Sequence, residues 1–156
     1  ERISKLVFIS ASPRYLDDGE DNYIGGFTQE ALDGLYGEMT TNYYAWVSGF
    51  SALAMGNPDK PELSVEFART LSDLRPDIAL AVAKVIFQSD IRKEVDQLKK
   101  ETLLLQAQED IAVPKEVADY LHQHIEHSTL KFLNASGHLP HISAPSEVIT
   151  AIKSFI

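Results

Sequence analysis

The spacing of apolar positions changes twice along the chain, and each change marks a new kind of element. Lys5-Leu6-Val7-Phe8-Ile9-Ser10 is a short, nearly continuous apolar run ending in Ala11-Ser12-Pro13. A β-rich run bounded by turn residues reads as a strand buried on both faces. Arg14 to Phe27 holds Asp17-Asp18-Gly19 and Gly25-Gly26 and reads as a loop.

From Thr28 the period becomes helical and stays so to Ser89-Asp90. Thr28-Gln29-Glu30 opens a first helix, although the capping-box acid position is Ala31. Met39 to Met55 sets Tyr43, Trp46, Val47, Phe50, Leu53 and Ala54 at helical spacing, and Gly56-Asn57-Pro58 ends it. Pro61 to Leu74 repeats the theme with Leu63, Phe67, Leu71 and Leu74. Arg75-Pro76 breaks that pattern, and Asp77 to Phe87 makes a fourth helix signalled by Ile78, Val82, Val85 and Ile86. Short aromatic-rich helices of this kind either pack as a bundle with ordinary core rings or set their rings around one cavity. The pattern alone leaves both open.

After a charged connector, Arg92 to Lys100, strand and helix alternate. Thr102 to Ala107 reads as a strand and Pro114 to His124 as a helix with Val117, Leu121 and Ile125 on one face. Thr129 to Leu133 reads as a strand and Pro145 to Ile156 as a closing helix. Pro114 and Pro145 stand where a first-turn proline is tolerated. Strand–helix–strand–helix order implies a parallel sheet with right-handed crossovers. The expected fold is therefore α/β: a half sheet of three strands interrupted by a four-helix insertion. The expected units are a core strand and loop (1–27), a helical insertion (28–90) and a core strand-helix-strand-helix unit (91–156).

Composition narrows the function classes. A chain of 156 residues, 44% apolar, can bury the core of one ordinary domain. Its net charge of −9, from dispersed acids, repels phosphate backbones, so no nucleic-acid partner is expected. The absence of cysteine removes disulfides, thiolate metal sites and a thiol nucleophile. No apolar run reaches eighteen residues, and no signal peptide is seen, so no membrane association and a cytoplasmic location are expected. The chain begins at Glu1, directly before a strand-like run, which suggests a longer protein only partly represented here.

Candidate chemistry gathers at two strand ends. Gln108-Glu109-Asp110 follows one strand, and Asn134-Ala135-Ser136-Gly137-His138-Leu139-Pro140-His141 follows the next. Open α/β sheets place their sites at the carboxyl edge of the strands. A carboxylate there can hold an imidazole in one tautomer while its other nitrogen deprotonates a nucleophile. Asp110 and His138 are the candidate acid and base, with Glu109 competing for the acid role. The nucleophile is missing: no G-x-S-x-G elbow occurs, and Gly49-Phe50-Ser51-Ala52-Leu53 is a mid-helix decoy. His122, His124 and His127 with Glu126 do not match usual metal geometry, since only 124 and 127 share a helix face. No metal or other cofactor is expected. His141 reads as a structural neighbour, and Gly25-Gly26 lacks the context of a phosphate loop.

Taken together, several landmarks resemble one α/β-hydrolase subfamily, that of the bacterial stress-signalling hydrolase RsbQ and the plant strigolactone and karrikin receptors. They are Ala11-Ser12-Pro13-Arg14-Tyr15-Leu16, Gly25-Gly26-Phe27, Asn42-Tyr43-Tyr44-Ala45-Trp46, Phe87-Gln88-Ser89-Asp90, Gln106 to Asp110 with Val113-Pro114, and Gly137 to His141. The resemblance runs from Lys5 to the end and covers only the later half of the family's fold. It implies that Asp110 and His138 belong to a Ser-His-Asp triad whose serine lies upstream of this chain. It implies also that the four helices roof an apolar pocket lined by Tyr15, Phe27, Trp46, Phe50 and Phe87. Tyr15 stands where the family often has phenylalanine, which would bring a hydroxyl to the rim. The activity implied is that of an esterase or lactonase acting on a small apolar ligand. The alternative is a small-ligand signalling receptor, with slow hydrolysis and a protein partner at the acidic lid (Glu30, Asp33, Glu38, Glu62, Glu66, Asp73).

Overall fold

The computed structural model of the chain describes residues 2–156; Glu1, the first residue of the expected 1–27 unit, lies outside them. Among the described residues, β1 (Lys5–Ile9), β2 (Glu101–Glu109) and β3 (Ser128–Ser136) form a parallel sheet in the order β1-β2-β3. Strand β2 is the one buried on both faces, with Thr102 to Ala107 all inaccessible. Strand β1, for which that burial is expected from sequence, is only half-buried throughout. Within these residues β2 lies between two strands and two helices, and β1 pairs with β2.

Alternation along β2 sends its side chains to opposite helices. Leu103 and Leu105 join Leu133 beneath Val148 and Ala151 of α8 (Pro145–Phe155). Leu104, on the other face, packs with Leu121 of α6 (Lys115–His124), Ile125 and Val95. The result is a helix–sheet–helix sandwich, with the expected α6 face of Val117, Leu121 and Ile125 fully inside. His127 lies beyond the end of α6, so the helix-face pairing of His124 and His127 read from the sequence does not exist.

Between β1 and β2 the chain inserts α1 (Gln29–Thr41), α2 (Tyr43–Met55), α3 (Pro61–Ser72) and α4 (Pro76–Gln88), a lid-like helical cluster. Thr28 caps α1, accepting a bond from Ala31 N at 3.2 Å without help from a capping-box acid. Met39 to Thr41 belong to α1, not to the second helix. Asn42 divides the two: its side chain accepts from Ala45 N, and this local bond starts a new helix in place of continuing the old one. Gly56, in the left-handed conformation, ends α2 as its position implies.

The helices hold a core of their own: Leu32, Met39, Tyr43, Val47, Ala79, Ala83 and Phe87. In α4 the buried side is Ala79, Ala83 and Phe87, whereas Ile78, Val82, Val85 and Ile86, which signal the helix in sequence, are exposed. Small alanine side chains let α1 and α4 approach closely, and the branched side chains are left outside. A short helix, α5 (Arg92–Val95), follows the lid.

Both ends of the insertion are fastened at one place. Arg14 and Asp90 form an antiparallel bridge, and Ile91 N donates to Pro13 O at 2.9 Å. Arg92 reaches Asp90 at 2.8 Å, Asp18 at 2.9 Å and Asp21 at 3.3 Å, with its guanidinium over the Tyr23 ring. The Arg92 and Arg14 partners hold the Asp90 carboxyl far below the ordinary carboxylate range. Gly25 and Gly26 serve the same turn, since both backbone N–H groups donate to Asp17 Oδ1 at 2.9 Å. Among the described residues no helix is long and apolar enough to cross a membrane.

Candidate active site

The parallel register brings the ends of β2 and β3 side by side. Near the carboxyl edge, Ala107 pairs with Leu133 and Glu109 with Ser136, so β3 carries one extra residue there. Such a bulge bends a strand end and re-aims the residues beyond it. The first of these is Gly137, at φ +90°, whose N–H donates to Glu109 O at 2.7 Å. His138 N donates to Ala54 O at 2.7 Å, so the loop rests on the end of α2. The short helix α7 (Pro140–Ser143), not foreseen from the sequence, then turns the chain towards α8.

This path delivers the imidazole to the acid. His138 Nδ1 lies 3.0 Å from Asp110 Oδ2 and 3.2 Å from Oδ1. The Asp110 side chain is wholly inaccessible, while that of His138 is 23% exposed. Asp110 Oδ1 accepts the backbone N–H groups of Ala112 (2.9 Å) and Val113 (3.0 Å). Oδ2 accepts from Gln106 Nε2 at 3.3 Å. Burial by itself raises the Asp110 pKa, but the His138 bond and charge and the two backbone donors outweigh it and hold the carboxyl below its usual value. As a carboxylate it accepts from Nδ1–H, which leaves the Nε2 lone pair free to take a proton.

Of the two acids, Asp110 is the one that meets the imidazole. Glu109 is exposed and receives Ser136 Oγ at 3.3 Å; it does not reach the imidazole. Gln106 is the residue that sequence reading passed over. It is buried in the middle of β2, and its amide joins Asp110 to Val113 O at 3.0 Å. The signal was present, since a glutamine in an otherwise apolar central strand needs partners for its amide.

A folded Asp110 carboxyl held low stabilises the protein fully above the unfolded carboxylate value, about 4, and that stabilisation fades as pH falls through the lower folded value. Asp90 contributes with the same sign. Melting temperature in the intact protein is therefore expected to fall with acidification below about pH 4, and Asp110→Asn should flatten that slope. An unchanged slope would contradict the held-down carboxylate.

The aromatic residues separate into two groups. A cavity of about 590 Å³ lies between α1 and α2, walled by Phe27, Trp46 and Phe50, with Ile111 and Ala112 from the Asp110 loop. The rings of Trp46 and Phe50 stack at 4.8 Å. Tyr15 and Phe87 stand behind Phe27, each edge-on to it, at 6.3 and 5.3 Å, and are not part of that wall. Burial first, and then the Asp110 charge, raise the Tyr15 phenol pKa. Glu38, grouped from sequence with the acidic outer face, lines the cavity instead. Leu53 and Ile111 line both this cavity and a neighbouring cleft of about 440 Å³ that contains Asp110.

The remaining candidates fall elsewhere. Ser51 is fully buried in the middle of α2 with its hydroxyl unpartnered. His122 Nδ1 contacts Ser128 Oγ at 2.8 Å, and His124 stacks on Tyr120 with centroids 3.8 Å apart. His141 is exposed on α7. Among the described residues no cluster of three or more His, Asp or Glu side chains is arranged to hold a metal ion.

A parallel sheet with helices on both faces, a helical lid inserted between strands and a buried acid–histidine dyad at the carboxyl edge define the later portion of an α/β-hydrolase. No protein-family model matches the chain. It is 46% identical over 147 residues to a strigolactone esterase of Pisum sativum, covering 94% of this chain and 54% of that protein. It is 45% identical over 154 residues to a karrikin insensitive 2 receptor of Petunia hybrida, covering 98% and 56%. Among solved structures, a hydrolase from Oleispira antarctica superposes with a TM-score of 0.93 at 29% identity, over 99% of this chain and 56% of that one. An esterase from Exiguobacterium antarcticum, at 20% identity and a TM-score of 0.90 over 99% and 57%, supports the fold alone. The chain has the α/β-hydrolase fold and matches the C-terminal part of strigolactone-esterase and karrikin-receptor relatives. It spans a little over half the length of these relatives.

Proposed function

We propose that the intact protein is a serine hydrolase of small, largely apolar esters or lactones, with a nucleophile supplied from outside these 156 residues. The observation that carries this reading is the Asp110–His138 pair at the sheet edge, next to an apolar cavity under the lid. In this mechanism His138 Nε2 takes the serine proton as the hydroxyl attacks the acyl carbon, and returns it to the leaving alcohol. It then deprotonates the water that attacks the acyl-enzyme and passes that proton to the serine oxygen as the acid leaves. Asp110 holds the ring in one tautomer and stabilises its charged form. Phe27, Trp46 and Phe50 face the ligand, with Tyr15 and Phe87 supporting Phe27 from behind. The three units, 1–27, 28–90 and 91–156, divide the work into core, lid and dyad-bearing core. The cytoplasmic location belongs to the same proposal and rests on the sequence reading.

A second reading is a small-ligand receptor with slow turnover. It is favoured by the receptor names of several relatives and by the exposed acids Glu30, Asp33, Glu62, Glu66 and Asp73 on the lid. Aryl-ester hydrolysis and fluorophosphonate labelling of the intact protein test both. Multiple turnover with one labelled serine is the expected result. Neither turnover nor label would overturn the hydrolase reading; a single turnover, with a protein captured only in the presence of an apolar ligand, would favour the receptor.

A further inference from the structure

The histidine loop and the cavity wall meet at the last turn of α2. Asn57, half-buried just past that helix, spends both hydrogens of its amide there. One goes to Met55 O, among the last helix carbonyls that lack an intrahelical donor, and the other to Ser136 O at 2.9 Å. Ser136 directly precedes Gly137-His138, and its carbonyl also accepts from Ser143 Oγ at 3.3 Å. Beside these bonds, His138 N is held by Ala54 O, and a Cβ on Gly56 would stand 3.1 Å from the Gly137 backbone. The same helix end faces the ligand space, because Leu53 and Ala54 line the cavity below Trp46 and Phe50.

We propose that Asn57 is a positioning residue that latches the His138 loop to the cavity helix α2. A ligand that shifts α2 then either carries the imidazole with it or breaks the hydrogen bonds from Asn57 to Ser136 O and from His138 N to Ala54 O, so cavity occupancy and dyad geometry are linked in both directions. This deepens the hydrolase reading and rests on it for the catalytic consequence. The chemistry asks for a donor on both sides. Aspartate, of nearly the same shape, would set an anion against two carbonyl oxygens, whereas serine keeps one donor.

The test compares Asn57→Asp, Asn57→Ala and Asn57→Ser in the intact protein by two readouts. The first is the rate at which diethyl pyrocarbonate modifies His138, followed by peptide mass spectrometry. The second is kcat and KM for an aryl ester. Asn57→Asp is expected to raise the His138 modification rate about fivefold or more and lower kcat about tenfold, with KM within about twofold. Asn57→Ala should be milder and Asn57→Ser closest to the native protein. A residue that merely fills space predicts the reverse order, with aspartate tolerated and alanine worst, and that order would overturn the latch. Modification reports loop position whether or not His138 is the base. Full turnover in His138→Ala would thus remove the hydrolase reading without touching the latch, and native labelling in Asn57→Asp would remove the latch alone.

Discussion

His138→Ala in the intact protein is expected to lower aryl-ester turnover by about 10⁴-fold or more. The imidazole is the group that can move the proton at each step, and Asp110 is already committed to it through Nδ1. Asp110→Asn should approach the same loss by a different route. An amide that offers its N–H to Nδ1 favours the tautomer with the hydrogen on Nε2, where the lone pair is needed. The double variant should then lose little more than either single one, because the two residues act as a unit. The measurement is kcat/KM for a nitrophenyl ester over background hydrolysis. Turnover within tenfold of native in His138→Ala would end the triad assignment.

Gly137→Ala is expected to destabilise the intact protein by about 3–5 kcal/mol and to release the histidine loop. Two costs add. The residue sits at φ +90°, a conformation that side chains with a Cβ rarely adopt. A Cβ built there also overlaps Met55 O and falls 2.9 Å from Ala54 O, both of them backbone atoms that cannot swing aside. Relief requires the loop to part from α2, breaking the bond between His138 N and Ala54 O. Gly37→Ala, in mid-α1 with nothing near its added Cβ, is the internal control and should be neutral or stabilising by about 0.5–1 kcal/mol. Equal melting temperatures for the two variants would refute the argument.

The gain and the loss between sequence and structure can be traced at particular residues. Helix α6 was legible because Val117, Leu121 and Ile125 are both its apolar stripe and its buried face. Helix α4 was legible as a helix but inside out, because close approach to α1 selects the small Ala79 and Ala83 over the branched residues. Helices α1 and α2 read as divided in the wrong place, because one asparagine side-chain bond outweighs a continuous apolar period. At the site, Asp110 and His138 were legible from their place after successive strands. Gln106 and Asn57 were given no part at the site, and Glu38 was read onto the outer face of the lid, since their parts depend on atoms far along the chain.

By itself the sequence determined the parallel α/β order, the helical insertion, the acid and histidine at neighbouring strand ends, and the lack of an elbow serine among these residues. Those are local or periodic properties, written in spacing and turn chemistry. Which carboxylate meets the imidazole, which rings face the cavity and what holds the histidine loop were decided only by the tertiary structure. Each depends on strand register, a single bulged residue in β3 and the docking of Gly137 on the end of α2. A difference of one residue or a few tenths of an ångström there changes which atoms can bond.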